Sequence, residues 1–398
     1  MPGMAGRLLI RELALADGTS PQLQVGLDVL VEDGTIAWIG PTDEADPAGA
    51  EIIDGGGATL VPALVDCHSH LSGPGGSHWI QRFGDPPDRL HAVAHENARR
   101  LVQAGVLWAR DVGAPTVNGR PVNIAVRDEL ANQPGQPYIR AAGTWLAKAG
   151  YLPFTIDVDD GRALLAAAVA QLDGGADFVK IMLDPPASEG SDTAPFSADD
   201  VGQVVQAVHA RGKRITAHAT ILDGARVGAE GGVDSLEHGF ALSDDVAQIM
   251  AANGVRLVST LSVLASIGTF ATTTRIERFA SETGRRRTAE RREQAFASIA
   301  AARRAGVRIA TGSDFGGGSV RAGHLAWEIE LLVAAGMQPW EALASATLNG
   351  GELLNEPNAG RIGVGCPADF VLVHGDPLSD PSTLWRVWAV FQRGTRVV

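Results

Sequence analysis

Between residues 59 and 313 the chain alternates short apolar, β-branched runs with Ala-rich stretches of helical character, and this alternation constrains the fold more than any other feature. Eight runs read as strands: Thr59 to Cys67, Val106 to Asp111, Tyr138 to Ala142, Phe178 to Leu183, Arg214 to Ala219, Asp234 to Glu237, Val255 to Leu261 and Val307 to Ser313. Helical stretches separate most of them: His91 to Ala104, Arg162 to Gln171, Ala198 to Ala210, Asp223 to Glu230, Asp244 to Ala252 and Arg285 to Arg304. A glycine just before the next strand (105, 175, 212, 232, 254 and 306) marks where a helix closes in a left-handed residue. Strands separated by helices pair in parallel through right-handed crossovers. Eight of them predict an α/β fold of the (β/α)8 TIM-barrel type.

The two ends have a different texture. Leu8 to Leu13, Leu27 to Glu32 and Thr35 to Ile39 are short strands broken by Asp-Gly pairs at 17–18 and 33–34, which are hairpin signals. Ala368 to Val373 and Val387 to Val390 repeat the pattern, with turns at Gly375-Asp376-Pro377 and Arg393-Gly394. Neither end has enough strands to bury a face alone. They are expected to combine as a small composite β-sandwich domain, 1–58 with 358–398, beside a barrel spanning 59–357.

With 46 acidic against 33 basic side chains in 398 residues, the net charge is −13. That argues against nucleic acid or an anionic membrane as partner, since both need a concentrated positive field. No apolar run approaches the roughly 20 residues that span a bilayer, and the first residues lack a cationic region followed by a long apolar one. A cytoplasmic protein is expected, with a small-molecule substrate and further copies of itself, as a homo-oligomer, for partners. Two cysteines, Cys67 and Cys366, are too few for a disulfide framework.

In such a barrel, chemistry gathers at the C-terminal ends of the strands. Strand 1 ends Val65-Asp66-Cys67-His68-Ser69-His70, and its period of two puts His68 and His70 on one face and Cys67 on the other. Strand 4 carries Lys180, strand 5 ends at His218, strand 6 at Glu237-His238 and strand 8 at Ser313-Asp314. Singly, each has an ordinary explanation: a hydrogen-bonded structural histidine, or a helix cap for Asp314. Lys180 resists one, because an ammonium inside an apolar strand must be desolvated. The chain has only three lysines, at 148, 180 and 213, and uses Arg elsewhere. Four imidazoles and one carboxylate do not close two metal shells unless the lysine contributes oxygens. A neutral amine that takes up CO2 becomes a carbamate, whose two oxygens can bridge two cations. Imidazole and oxygen ligands suit Zn, with Mn, Co or Fe also possible.

In this order, HxH on strand 1, Lys on strand 4, His on strands 5 and 6, and Asp on strand 8, the residues resemble the binuclear-metal type of the amidohydrolase superfamily, in its prolidase-like and ochratoxinase-like branch. The likeness spans Val61 to His70, Ala109 to Gly113, Asp177 to Ile181, Val233 to Gly239 and Gly365 to Val371. It implies that His68, His70 and Asp314 hold the more buried metal, His218 and His238 the more exposed one, and carboxylated Lys180 bridges the two. It further implies that a hydroxide between the metals attacks an amide carbonyl. Asp314 then moves the proton to the leaving amine, and the metal held by His238 polarises the carbonyl, which makes Asp314 and His238 the catalytic residues. The implied substrate is an N-acyl amino acid, a dipeptide-like molecule or an aryl amide.

The sequence departs from that branch at His218-Ala219-Thr220-Ile221, where His-Ala-His-Gly is usual, and at Trp145 to Tyr151, where a His-containing Gly-rich loop often stands. The alternatives are a cyclic amide hydrolase of the hydantoinase or imidazolonepropionase kind, or a deaminase. Mononuclear members of that second group use a Glu three residues after the strand-5 His and lack the bridging Lys; here residue 221 is Ile and Lys180 is present. A non-catalytic relative would have lost ligands, and all six are here. Substrate contacts are expected from His78, Tyr151, Arg321 and His324 on the strand-end loops, with the Arg321 guanidinium suited to a carboxylate. The Arg285-Arg286-Arg287 and Arg291-Arg292 runs, interspersed with Glu290 and Glu293, read as a solvated helix face.

Overall fold

The computed structural model describes residues 6–398. Its barrel strands are β1 (Leu64–Ser69), β2 (Val106–Asp111), β3 (Tyr138–Ala141), β4 (Phe178–Met182), β5 (Arg214–Ala219), β6 (Ser235–His238), β7 (Arg256–Ser259) and β8 (Ile309–Thr311). Neighbours are parallel within two sheets, β3-β2-β1 and β4 through β8. The seams between the sheets are sparse. At one, the Asp314 amide donates to the His68 carbonyl at 2.7 Å and the His70 amide to Phe315 at 2.9 Å; at the other, the Asp177 amide donates to Ala141 at 2.8 Å. Inward-pointing Val, Leu, Ile and Ala side chains fill the barrel together with the inner faces of its helices. Helices close where the glycines predicted, Gly232 and Gly306 taking φ of 74° and 77°.

The strand expected over Thr59 to Cys67 is in fact two. Thr59–Pro62 pairs antiparallel with Phe370–Val373 in the terminal sheet, so the boundary drawn at residue 59 falls inside that sheet. The ladder changes hands at Ala63: its amide donates to Asp369, and that of Leu64 to Gly105. Pro62, with no amide hydrogen, donates nothing to the first ladder. The terminal sheet has eight strands from both ends of the chain, around one core that includes Ile10, Leu13, Val31, Leu60, Phe370 and Phe391. The strand expected to reach Leu261 stops at Ser259, and Leu261 opens the helix Leu261–Thr269. Among the described residues, no helix is long and apolar enough to cross a membrane.

Candidate metal centre

The C-terminal ends of β1, β4, β5, β6 and β8 bring His68, His70, Lys180, His218, His238 and Asp314 onto one cavity of about 80 Å3. His68, His238 and Asp314 can each offer a ligand atom within 4.8 Å of the others. The rings of His218 and His238 lie 4.5 Å apart, those of His68 and His238 4.7 Å. Asp314 Oδ1 stands 3.4 Å from His68 Nε2 and 3.3 Å from His70 Nε2. Two residues are turned inward by unusual backbone: His238 has φ 71° and Asp314 φ 50°. Left-handed conformations cost a non-glycine residue about 1–3 kcal/mol and gather at functional sites.

The surroundings fix which nitrogen each ring presents. Nδ1 of His68 is bonded to Glu237 Oε2 at 2.5 Å, that of His70 to the Gly113 carbonyl at 2.7 Å, and that of His238 to Thr260 Oγ1 at 2.7 Å. Each leaves Nε2 for the cavity. His218 is reversed, its Nε2 lying 3.1 Å from both Asp184 Oδ2 and the Tyr151 hydroxyl. Glu237 is itself held by Arg110 Nη2 at 2.6 Å and by Ser235 Oγ at 3.0 Å. Partners of this kind orient ligands and set their basicity.

Among the six residues of this site, two buried polar atoms have no hydrogen-bond partner, Lys180 Nζ and Asp314 Oδ1. Burial, with Arg110 adding repulsion against the pull of Glu237 and Asp314, brings the Lys180 amine down to about 8. Roughly one in ten such amines is neutral at pH 7. Burial would raise Asp314, yet His68, His70 and His238 hold it well below the usual carboxylate range. Burial and the neighbouring His218 and His68 keep His238 neutral, its pKa well below the ordinary imidazole value. His68 is raised, because Asp314 and Glu237 outweigh burial, and a bound cation would have to displace its proton. The donors present are four imidazoles, a carboxylate and an amine able to become a carbamate. This set fits divalent zinc-like ions.

Of the residues expected to touch substrate, Tyr151 lines the cavity, beneath an aromatic wall of Trp79, Phe83, Trp145 and Phe154. His78, Arg321 and His324 do not line it. His78 is exposed ahead of the short helix Trp79–Arg82. The loop after β8 folds back through a Gly316 amide to Val320 carbonyl bond, which sends exposed Arg321 outward; His324 donates to the Arg321 carbonyl at 2.9 Å and its ring sits 5.3 Å from Trp385. Sequence reasoning missed the supports Glu237, Arg110, Thr260 and Asp184. A signal existed for two of them, since Arg110 and Glu237 are charges inside otherwise apolar strands. Thr220, at the departure from the usual strand-5 motif, is bonded through its amide and hydroxyl to Asp184.

Residues 59–397 match the profile described as the Amidohydrolase family. Over 394 residues the chain is 30% identical to an uncharacterised protein of Mycobacterium tuberculosis (strain ATCC 25618 / H37Rv), covering 98% of this chain and 95% of that protein. It is 28% identical over 413 residues to the imidazolonepropionase of Ectopseudomonas mendocina (strain ymp), covering 92% and 90%. Among solved structures, a Xaa-Pro dipeptidase with bound methionine in the active site superposes with TM-score 0.84 at 25% identity, covering 98% and 99%. The A. niger ochratoxinase shares the fold, with TM-score 0.81 at 20% identity over 98% and 95% of the two chains.

Proposed function

Since the chain belongs to the amidohydrolase family by its match over residues 59–397, we propose that it hydrolyses a C–N amide bond, of an N-acyl amino acid, a dipeptide-like molecule or an aryl amide. One observation carries the reading: four histidines, Lys180 and Asp314 converge on a single cavity in which the Lys180 amine and the Asp314 Oδ1 atom make no hydrogen bond within the protein. His68, His70 and Asp314 would hold one divalent ion, His218 and His238 a second, and Lys180, carboxylated by CO2, would bridge them. Zinc suits the donors best, with Mn, Co or Fe possible. When bound, such ions acidify a water and polarise the scissile carbonyl.

The chain's own residues do the rest. The water's oxygen bonds to the carbonyl carbon while Asp314 accepts its proton and then delivers it to the nitrogen as the C–N bond breaks. Tyr151 is half-buried, and its desolvation together with Asp184 and Asp314 raises its pKa, so it stays a phenol able to donate to the substrate's oxygen. Glu237 and Thr260 keep the His68 and His238 rings aimed, and the aromatic wall limits access of bulk water. The likeness to the dipeptidase supports an open-chain amide. A cyclic amide is the second reading, supported by the likeness to imidazolonepropionase.

The test is a screen of N-acyl amino acids, dipeptides, aryl amides, hydantoins and lactams against Zn-, Mn- and Co-loaded enzyme. Release of an acid and an amine is expected; turnover confined to rings selects the second reading. Release of ammonia from aminated bases, with every amide untouched, overturns both.

A further inference from the structure

A second cavity, of about 610 Å3, adjoins the first, and Trp79 lines both. Its wall is apolar where Leu264, Ile267 and Phe279 face it, acidic at Glu277, and cationic where the helix Glu282–Ala305 passes. Arg287 and Arg291, four residues apart and so on one side of that helix, both line it. Among the described residues neither has a carboxylate within 4 Å, whereas Arg286 on another side of the helix pairs with Glu290 at 3.7 Å. Arg278, also in the lining, is committed to structure: it donates to the Ser77 carbonyl at 2.7 Å and lies 4.5 Å from the Phe279 ring centre. Arg291 is a second link between the two cavities. Its Nη2 donates to Thr220 Oγ1 at 3.3 Å, Thr220 donates to Asp184, and Asp184 holds His218. A cationic patch here opposes the chain's net charge of −13, a field that concentrates anions.

We propose that this outer cavity is a subsite for the acidic end of the substrate, with a carboxylate taken by Arg291 and Arg287 and an adjoining aryl or branched alkyl group laid against Trp79, Leu264, Ile267 and Phe279. It rests on the amide-hydrolase reading and sharpens it. The arginine run that reads in sequence as a solvated face thus has one side turned to substrate, and the carboxylate partner is Arg291 rather than Arg321. A planar guanidinium matches a carboxylate through paired, charge-assisted hydrogen bonds that a neutral amide cannot return.

The test uses the full-length, metal-loaded enzyme and two probes of nearly equal shape, 3-phenylpropionate and 3-phenylpropionamide, titrated calorimetrically. Wild type is expected to bind the anion about 10-fold or more tighter than the amide, in line with one or two charge-assisted hydrogen bonds. Arg291→Gln should bring that ratio close to 1, Arg287→Gln should reduce it about threefold, and Arg286→Gln should leave it in place. For any N-acyl amino acid that is turned over, Arg291→Gln should raise KM about 10-fold with kcat nearly constant, the mark of lost ground-state binding. Equal binding of the two probes by wild type, or an unchanged ratio in Arg291→Gln, overturns the subsite. If amides are hydrolysed but neutral ones are preferred, the subsite fails and the hydrolase reading stands. If anion binding depends on Arg291 while no amide is cleaved, the reverse holds.

Discussion

The two ends of the barrel both carry charge, but they treat it differently. At the floor, where β5, β7 and β8 begin, Glu352 takes Arg308 and Arg361, and Arg214 donates to the Glu352 and Leu353 carbonyls at 3.0 and 2.8 Å. Arg140 pairs with Glu356 there. Arg256 is less well served: its Nη1 has no hydrogen-bond partner and Nη2 is 4.0 Å from Glu352. A guanidinium cannot shed its proton in a protein, so the floor's electrostatics are fixed. At the mouth, the ionisable atoms without a hydrogen bond are the Lys180 amine and Asp314 Oδ1, on residues 2% and 6% exposed, which can change protonation or acquire new covalent and coordinate partners. Clustered charge is common to both ends; only at the mouth is it fully buried, and only there is the chemistry of the unsatisfied group labile.

That contrast can be broken most forcefully at Asp314. Asp314→Asn keeps the shape and removes the proton carrier, and kcat is expected to fall about 10^3-fold, as for loss of a general base. Steady-state kinetics on the best substrate of the amide screen checks it; a loss under tenfold would move the proton to another group. Next is the support behind His68. Glu237→Gln should weaken metal binding about 10–100-fold, read by competition with a chelator, because the imidazole loses its ionic partner.

Lys180 gives a test without metal or activity. An unfolded lysine titrates near 10.5 and the folded one near 8. Above about pH 10.5 both states are neutral and nothing is lost. As pH falls towards 8 the unfolded chain binds a proton that the folded chain does not, so folding is penalised by a growing amount that levels off below pH 8. The full penalty is about 3 kcal/mol. Metal-free, CO2-free Lys180→Met should therefore be more stable than wild type by up to that amount at pH 7, with the gap closing towards pH 10.5. Denaturant titrations at the two pH values measure it, and equal stability at pH 7 would mean the ammonium is solvated after all. At the floor the effect should be smallest. Glu352→Gln is expected to cost about 1 kcal/mol in stability, as a partly exposed ion pair does, with kcat unaltered.

Sequence reading succeeded where residues act locally. The glycines that end helices set the floor of the barrel, and the period of two in Cys67-His68-Ser69-His70 is enough to send both histidines inward. It failed where ownership of a strand is decided by distant partners: Thr59 to Pro62 looks like barrel strand, but Phe370 to Val373 pulls it into the terminal sheet. The helix Val122–Leu130 was not foreseen, because its short run with Asn123 buried against Asp111 carries no strong helical period. The ligand set could be read because strand ends in a barrel share one face. The outer cavity could not, since Trp79, Leu264 and Arg291 come from three separate helices that only tertiary folding brings together.

The most direct test of a binuclear centre bridged by Lys180 is the metal-to-protein ratio of wild type and Lys180→Ala, purified in bicarbonate with excess zinc and then desalted. Wild type is expected to retain about two ions per chain, as two-metal hydrolase sites do, and Lys180→Ala well under one. Two ions retained by Lys180→Ala, or none by wild type, would contradict it.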